Sequence, residues 1–468
     1  MRVLPDFNPT PEQRKIVADN RPGFRIIRGA AGSGKTSTAL LQLRLQTEAR
    51  LRRRRRESAE EPVRVLVLTF NRTLRGYIEE LARKADNGDD ALQLEISTFG
   101  AWSWELAGRV SVLERAEVRE MLSLGLDDLG ISAQHDFFID EIEYVLGRFP
   151  PGQLNDYLDA RRVGRGRAPR VDRPRRQALL DGPIASYDAA KKRQSLVDWN
   201  DLALLTASVL PKHRYDIVIV DEAQDFSNNQ VRAILHHLSD DHSTTFVLDA
   251  IQRIYPRYLA WPEVGIDARG ISHKLTRNYR NTAAIARFAL PLVADLDVED
   301  DGALPDFAAC TVEGAKPLVT VGTYNAQFSF MLDRLLHNAD LRTETTAVLK
   351  ARGGGWFDEA RRVLTARGIA YCELTRESEW PTGHENVALC TMHSAKGLEF
   401  DHVLIPGLSQ RVTPHGPEDG DGDLEQLRRM LAMAVGRARK SVMLGYKPGE
   451  ESTLIRLLDP ATYERVEL

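Results

Sequence analysis

A short apolar strand that runs directly into a glycine-rich turn restricts the fold of this chain more than any other feature of its sequence. The segment FRIIR at 24–28 is followed by GAAGSGKT at 29–36, which fits the pattern G-x-x-x-x-G-K-[ST], and then by a helical pattern. Glycines are needed in such a turn because its backbone wraps around phosphate oxygens and directs N–H groups at them from a helix N-terminus. The alternative is an ordinary strand-to-helix turn. We interpret the segment as a phosphate-binding loop of an α/β domain.

The rest of the chain repeats this alternation of short apolar runs with longer helical patterns, which is typical of parallel α/β sheets. The first half contains four such runs, at 24–28, 63–70, 215–222 and 244–249. The second half contains five, at 317–324, 345–352, 387–391, 402–408 and 441–446. We therefore expect two open sheets.

The segment between the second and third runs reads mainly as helix, with no strong strand, and we interpret it as a helical insertion. It contains an arginine-rich stretch at 161–176, where eight arginines accompany one acid, and two glycines and two prolines argue against a regular helix. The stretch is either a solvated loop or a segment that binds nucleic-acid phosphates. Its concentrated positive charge favours binding to nucleic acid. The arginines at 52–56 are expected to end the helix that follows the glycine-rich turn.

Composition narrows the class of protein. A length of 468 residues allows roughly three domains of about 150 residues each. The net charge of −4 provides no overall attraction to polyanions, so any nucleic-acid contact must use local basic patches. Three cysteines are too few for a disulfide framework or a closed zinc site. No long apolar run or signal peptide is present, so we expect a cytoplasmic protein without membrane contact.

Two adjacent carboxylates end the third run of the first half. Asp221 and Glu222 in DEAQD lie at the carboxyl edge of the predicted sheet, where open α/β sheets bind ligands. Asp221 and the hydroxyl of Thr36 suit a magnesium ion, Glu222 suits a base that accepts a proton from the attacking water, and Lys35 adds charge to the outer phosphates. Taken alone, an acidic strand end is more often a solvated turn or a helix N-cap. Beside the phosphate loop we interpret it as a Walker B element.

Further motifs follow in a fixed order. They are Gln13 in FNPTPEQRKIV, TFN at 69–71, STFG at 97–100, LVDWNDL at 196–202, LDAIQRIY at 248–255, NYR at 278–280, TMHSAKGLEF at 391–400 and LAMAVGRARK at 431–440. Together with the two phosphate-site elements, this order resembles superfamily 1 helicases of the UvrD/Rep type over most of the chain. The resemblance implies an α/β fold with two recA-like parallel-sheet P-loop domains. We expect the first at 1–105 and 190–273, its helical insertion at 106–189, and the second at 274–468.

The resemblance also implies the site residues for ATP with Mg²⁺. The expected catalytic residues are Lys35, Glu222, Gln252, Arg280 and Arg437. The expected nucleotide-binding residues are Gln13, Gly29, Gly32, Ser33, Gly34, Lys35, Thr36, Ser37, Tyr279 and Glu399, and the metal ligands are Thr36 and Asp221. Arginines suit the developing charge on the transferred phosphoryl group, and an arginine finger is worth about 10³ to 10⁵ in rate. If Arg437 lies on a separate domain, closure of the cleft and hydrolysis become linked.

Single-strand binders combine cations with aromatic rings on which bases stack. The expected nucleic-acid contacts are Thr69, Phe70, Asn71, Thr98, Phe99, Tyr255, Trp261, Thr391 and His393. For the aromatic residues among them, packing in a core is the open alternative. For His393, a structural role is the open alternative, because a single histidine more often has a structural role.

The sequence departs from the family pattern at three positions. Ala432 and Gly436 replace a tyrosine and a threonine, and Leu248 replaces a glycine before the sensor aspartate. The interval between Arg280 and Thr391 is also too short for the large second-domain insertion of longer relatives. These departures put the coupling strength and independent duplex unwinding in question more than they affect ATP binding.

The sequence therefore predicts an ATP-dependent translocase or helicase on single-stranded DNA, moving 3′ to 5′ as its relatives do, with RNA as an alternative track. The first rival is a nucleotide-gated scaffold or motor subunit that acts with a protein partner such as a nuclease and does not unwind alone. The second rival is a different P-loop enzyme such as a kinase, which leaves Gln13, Gln252, Arg280 and Lys396 without a role.

Overall fold

Every strand pair in the described part of the chain is parallel, as the alternating pattern predicts. The computed structural model describes residues 9–29, 33–69, 91–131, 135–161, 171–248, 259–275, 281–294, 296, 310, 312–351, 357–374, 381, 383–413 and 422–468. Parallel strands need crossover connections, and helices supply many of them here. The strands form two sheets, which confirms the predicted α/β class with two parallel sheets.

The first sheet has six strands in the order β3-β2-β4-β5-β1-β6. They are β1 (Gly23–Gly29), β2 (Val63–Thr69), β3 (Leu92–Thr98), β4 (Tyr215–Val220), β5 (Leu238–Leu248) and β6 (Ser272–Leu275). The phosphate loop follows β1 and the paired carboxylates follow β4, so both lie at the carboxyl edge on either side of β5. We call residues 9–275, apart from the helical insertion, the first lobe.

The second sheet has seven strands in the order β13-β7-β12-β11-β8-β10-β9. They are β7 (Leu318–Val321), β8 (Thr346–Lys350), β9 (Tyr371–Leu374), β10 (Val387–Thr391), β11 (Phe400–Ile405), β12 (Ala438–Tyr446) and β13 (Glu464–Glu467). We call residues 281–468, which carry this sheet, the second lobe. One apolar cluster extends from Ile27 and Val67 of the first lobe to Leu349 and Met392 of the second.

The described helices are α1 (Pro11–Val17), α2 (Lys35–Glu57), α3 (Phe99–Leu106), α4 (Arg115–Asp128), α5 (His135–Arg148), α6 (Arg173–Leu179), α7 (Ala185–Gln194), α8 (Trp199–Ser208), α9 (Asn228–His236), α10 (Ala283–Ala289), α11 (Tyr324–Asn338), α12 (Asp358–Ala366), α13 (Gly422–Val435) and α14 (Thr453–Arg456). Helix α2 starts at the lysine of the phosphate loop and includes the arginines at 52–56, as predicted. Its N-terminus therefore points at the position expected for phosphates.

Helices α4 to α7 form the helical insertion, which has its own apolar core around Leu122, Ile142 and Tyr187. Polar contacts attach it to the first lobe. Arg148 donates from Nε to Glu263 Oε2 at 2.9 Å, and Arg232 donates from Nη1 to the Arg148 carbonyl oxygen at 2.8 Å. Arg148 is itself buried, so these contacts join the core side of the insertion to the first lobe. The exact boundaries predicted for the domains stay a prediction.

The strand predictions failed at the sheet edges. All nine predicted runs form strands, but β3, β6, β9 and β13 were missed, and these four are the outermost strands of the two sheets. Edge strands are covered less completely, so they lack the continuous apolar run that marks a central parallel strand. Strand β3, for example, reads LQLEIST and alternates in burial.

The arginine-rich stretch also differs from its prediction at one end. Residues 162–170 lie outside the described residues, but Arg173 to Arg176 begin α6, with Asp172 as the N-cap that accepts from the Arg175 amide. Pro174 is compatible with this position because the first helical turn needs no proline N–H. The Arg176 guanidinium donates to the carbonyl oxygens of Tyr157 and Ala160, at 2.6 and 2.7 Å, so this arginine has a structural role.

Candidate nucleotide site between the two lobes

The loop after β1 is shaped for close backbone approach to a ligand. A Cβ atom at Gly29 would lie 2.5 Å from Ser33 Oγ and 2.8 Å from the Leu275 carbonyl oxygen, so this position has no room for a side chain. Gly34 has a φ of 75°, in the left-handed region that favours glycine. The Ser33 hydroxyl is buried and has no hydrogen-bond partner in the described part of the chain. The cradle and this hydroxyl fit a phosphate group.

Lys35 and Thr36 start α2 and contact residues at the carboxyl ends of β1 and β4. Lys35 donates from Nζ to the Gly29 carbonyl oxygen at 2.8 Å. Thr36 donates from Oγ1 to Asp221 Oδ2 at 3.0 Å, across from β4. Burial and the neighbouring Glu222 raise the pKa of Asp221 to about 7. A hydroxyl and a carboxylate are ligands that Mg²⁺ accepts beside water and phosphate oxygens, so this pair fits the predicted metal site.

Glu222 is held in an unusual position beside cations from both lobes. Its φ of 52° is left-handed, which costs about 1–3 kcal/mol for a residue other than glycine. Gln224 donates from its side-chain amide to Glu222 Oε2. Burial alone would raise the pKa of Glu222, but the charges of Lys396, Arg437 and Lys35 outweigh it and lower the pKa. The carboxylate is therefore kept ionised, as a proton acceptor must be.

Arg437 lies in the turn between α13 and β12 of the second lobe and is only 2% exposed. Its Nε donates to the Met433 carbonyl oxygen at 3.2 Å, and its Nη1 to the Leu398 carbonyl oxygen at 3.4 Å. Its charge acts on Glu222 across the cleft. The fold thus brings together two residues that are far apart in the sequence, while the role of Arg437 in hydrolysis stays a prediction.

Gln13 is tied to the phosphate loop. Its Nε2 donates to the Ser33 carbonyl oxygen at 2.9 Å, and its Oε1 accepts from the Thr10 amide at 2.8 Å within the capping box of α1. These contacts show how α1 supports the loop. The predicted contact of Gln13 with adenine stays a prediction.

The remaining predicted nucleotide residues are partly described. Ser37 lies in the first turn of α2, and Glu399 is half-buried just before β11. Four others, Gly32, Gln252, Tyr279 and Arg280, lie outside the described residues. Asn281, the next residue after Arg280, donates from Nδ2 to the Gly436 carbonyl oxygen at 3.1 Å, which joins this part of the chain to the segment that carries Arg437.

Three of the six described nucleic-acid candidates are buried. Phe99 and Trp261 are each 4% exposed, and they pack against Phe226 and Phe246 with ring centroids 5.9 and 5.0 Å apart. Thr69 is also buried. These environments favour the packing alternative for both rings. Phe70, Asn71 and Tyr255 lie outside the described residues.

The polar candidates have local structural contacts. Thr98 is the N-cap of α3 and accepts from the Ala101 amide at 3.1 Å. Thr391 ends β10, where its Oγ1 accepts from the Ser394 amide at 3.0 Å, and His393 is half-buried in the same turn. Contacts of these residues with nucleic acid stay predictions.

Sequence reasoning missed two features close to the predicted site residues. The first is the ion pair between Lys396 Nζ and Asp225 Oδ2, at 2.5 Å, which joins the lobes. Both residues lie inside motifs that were recognised, but nothing in the sequence indicates that they pair. The second is Trp199, which is 44% exposed and lies against Gly100, where an added Cβ would be 2.9 Å from the ring. Only the tertiary fold brings this ring to the STFG motif.

Asp198 and Asp201 of LVDWNDL stabilise the start of α8 through a capping box. Lys191 donates from Nζ to Asp198 Oδ2 at 2.8 Å and to Asp201 Oδ2 at 2.6 Å.

In the described ranges no cluster of three or more histidine, cysteine or acidic residues suits a metal ion. No helix in those ranges is long and apolar enough to span a membrane.

Comparison with known proteins finds a matching family model for a segment of each lobe. Residues 166–262 match the UvrD/REP helicase N-terminal domain, and residues 358–448 match the UvrD-like helicase C-terminal domain. The ATP-dependent DNA helicase UvrD2 of Mycobacterium tuberculosis is 24% identical over 578 aligned positions, which cover 93% of this chain and 78% of the relative. The alignment is longer than the chain of 468 residues, so UvrD2 carries segments that this chain lacks.

Two further relatives match shorter parts. DNA helicase II of Escherichia coli is 39% identical over 133 residues, which cover 24% of this chain and 18% of that protein. The solved C-terminal domain of a possible DNA helicase from Lactobacillus plantarum WCFS1 is 22% identical and covers 40% of this chain and 98% of that chain. Its TM-score of 0.31 is too low to bear on the fold.

Proposed function

Because the chain belongs to the UvrD/Rep-like superfamily 1 helicases, which are ATP-hydrolysing DNA helicases, we propose that it is an ATP-driven motor on single-stranded DNA that moves 3′ to 5′. The observation that carries this proposal is the approach of buried second-lobe cations to a first-lobe carboxylate. Lys396 Nζ lies 3.9 Å from Glu222 Oε2, and the charge of Arg437 acts on the same carboxylate. Hydrolysis therefore depends on how the lobes are arranged.

In the proposed reaction, the backbone of the phosphate loop and Lys35 bind the β- and γ-phosphates. Glu222 accepts the proton of the attacking water, and its lowered pKa keeps it ionised for that step. Arg437 stabilises the charge on the transferred phosphoryl group. Mg²⁺, held by Thr36 and Asp221, would neutralise phosphate charge when bound.

The arrangement of charges supports a link between hydrolysis and motion. Glu222 belongs to the first lobe and Arg437 to the second, so the reacting group is surrounded only when the lobes are closed. Lys35 and Arg437 both attract the γ-phosphate. Loss of this phosphate removes that attraction between the lobes, which favours opening. Repeated closing and opening would then move the lobes along the DNA strand.

We propose that the DNA strand crosses the carboxyl edges of the two sheets near Thr98 and Thr391. Trp199 is the described ring on this path that is exposed enough to stack on a base. The predicted contacts at Phe70, Asn71, Tyr255 and His393 belong to the same proposal. We expect the protein to act in the cytoplasm.

The test is ATP hydrolysis titrated against single-stranded DNA, duplex DNA and RNA at two salt concentrations. We expect strong stimulation by single-stranded DNA that weakens with salt, because phosphate contacts release counterions. Lys35→Ala should abolish turnover, whereas Lys447→Ala, which removes an exposed lysine paired with Glu450, should not. A wild type that hydrolyses ATP equally fast with and without DNA would contradict the motor proposal.

The second candidate is a nucleotide-gated subunit that acts with a partner such as a nuclease. It is favoured by the segments of UvrD2 that this chain lacks. Strand displacement by the purified protein separates the two functions. Robust unwinding without a partner would exclude the second candidate.

A further inference from the structure

A buried ion pair joins the two lobes beneath the candidate nucleotide site. Lys396 lies in the turn after β10 of the second lobe, and Asp225 ends the short 3-10 helix Ala223–Asp225 after β4 of the first lobe. The Lys396 Nζ atom lies 2.5 Å from Asp225 Oδ2. Lys396 is 4% exposed and Asp225 is fully buried. The charges are therefore removed from water at the contact between the lobes.

The same ammonium group lies beside the proposed proton acceptor. Lys396 Nζ is 3.9 Å from Glu222 Oε2, and the Gln224 side-chain amide donates to that same oxygen. One lysine of the second lobe thus faces two carboxylates of a single first-lobe segment. Lys35 and Arg437 also act electrostatically on Glu222, but we assign those two cations to the phosphates.

The energetics of such a pair indicate a geometric role. Removing two charges from water costs about as much as their attraction returns, so a buried ion pair contributes little net stability. The pair does restrict how the two lobes fit together, because any displacement of one lobe leaves a buried charge without its partner.

Arg437 shares its environment with this pair. The Arg437 Nη1 donates to the Leu398 carbonyl oxygen at 3.4 Å, two residues after Lys396 in the same turn. A shift of the turn that carries Lys396 would therefore also displace the guanidinium group. The position of Arg437 relative to Glu222 depends on where the turn docks.

We propose that Lys396 is a positioning residue for ATP hydrolysis, which through Asp225 docks the second lobe so that Arg437 lies beside Glu222. This inference rests on the proposed ATPase function and assigns a role to a contact that the reaction itself does not use. It predicts that the pair affects the rate of the chemical step more than nucleotide binding or stability.

The experiment measures kcat and KM for DNA-stimulated ATP hydrolysis, together with thermal melting. The variants are Lys396→Met, Lys396→Arg and the double variant Lys396→Met with Asp225→Leu. The control is Lys447→Met, which removes a second-lobe lysine from an exposed ion pair with Glu450. The double variant matters because it removes both charges of the pair, so a slow rate in it cannot be ascribed to an unpaired Asp225.

We expect Lys396→Met to lower kcat about 100-fold, because a displacement of about 1 Å in a catalytic group has that effect. The KM for ATP should stay within about threefold of the wild type. Lys396→Arg should recover most of the rate, since it keeps the charge. The double variant should melt like the wild type and still be slow, and Lys447→Met should behave like the wild type.

Two outcomes would overturn the inference while the wild type remains DNA-stimulated. One is a double variant that hydrolyses ATP at the wild-type rate, which would show that the pair only offsets its own buried charges. The other is a Lys396→Met variant with a raised KM and an unchanged kcat, which would make Lys396 a nucleotide-binding residue. A wild type without DNA-stimulated hydrolysis would instead contradict the proposed function itself.

Discussion

The nucleotide cleft and the predicted nucleic-acid track differ in how their residues are placed. In the cleft, charged residues from distant motifs converge, so that Lys35, Glu222, Lys396 and Arg437 interact across two lobes. Along the track, the aromatic residues separate into two groups. Phe99 and Trp261 pack in the core, while Trp199 is exposed beside the STFG motif.

This contrast reflects what each kind of contact requires. Phosphate chemistry needs particular charges, which no other side chains can replace, so the residue types alone identify them. Stacking needs a ring with an open face, and a phenylalanine in the sequence does not reveal whether its face is open. The predictions below test the difference between the two regions.

The largest effect is expected at the second-lobe side of the cleft. Arg437→Ala should lower kcat for DNA-stimulated ATP hydrolysis about 10³-fold or more, because an arginine finger contributes about that factor. Arg439→Ala, two residues further on and 39% exposed in its side chain, is the control. Similar losses in the two variants would show that the lobe surface, rather than the Arg437 charge, is needed.

The first-lobe side of the cleft should be slightly less sensitive. Glu222→Gln removes the proton acceptor and should lower kcat by about 10² to 10⁴. ATP binding should be preserved, and equilibrium binding of a fluorescent ATP analogue measures it. Glu61→Gln, at an exposed ion pair with Arg64, controls for loss of a first-lobe carboxylate. If Glu222→Gln hydrolyses ATP like the wild type, another group accepts the proton.

A buried ring of the predicted track should affect stability. Phe99→Ala should lower the free energy of unfolding by about 3–5 kcal/mol, as for other buried phenylalanines. Thermal and denaturant unfolding of the first lobe measure this loss. The affinity for single-stranded DNA, measured well below the melting temperature, should stay close to that of the wild type. A stable Phe99→Ala variant with weak DNA binding would restore Phe99 as a stacking residue.

The exposed ring should show the opposite behaviour with a smaller effect. Trp199→Ala should weaken single-stranded DNA binding by about 1–3 kcal/mol, the usual loss for one stacked base. Its melting temperature should change little, because the ring is 44% exposed. Trp199→Phe, which keeps a stacking face, should recover part of the affinity. Unchanged binding in Trp199→Ala would place the DNA strand elsewhere.

The fold could be predicted well in its centre and poorly at its margins. The strands β1, β4, β8 and β11 are buried on both faces, so they appear in the sequence as apolar runs with β-branched residues. The four outermost strands lack that signal, because one side has no neighbouring strand. Strand β13, for example, reads ERVE and is recognisable only by its pairing with β7.

The candidate site shows the same division. The phosphate loop and the paired carboxylates could be predicted, since each is a short local motif. The contact between Lys396 and Asp225 could not, because its two residues are 171 positions apart and their charges carry no information about pairing. The packing of Trp199 on Gly100 was missed for the same reason.

The sequence by itself determined the chemistry available to this protein: a glycine turn that accepts phosphates, a carboxylate pair that suits a metal ion and a proton, and arginines for a developing charge. Local patterns suffice for these because they depend on residue type and short spacing. The tertiary structure alone decided which lysine enters the cleft from the other lobe and which aromatic ring is exposed. Those outcomes depend on burial and on contacts between distant segments, and such contacts exist only after the chain has packed.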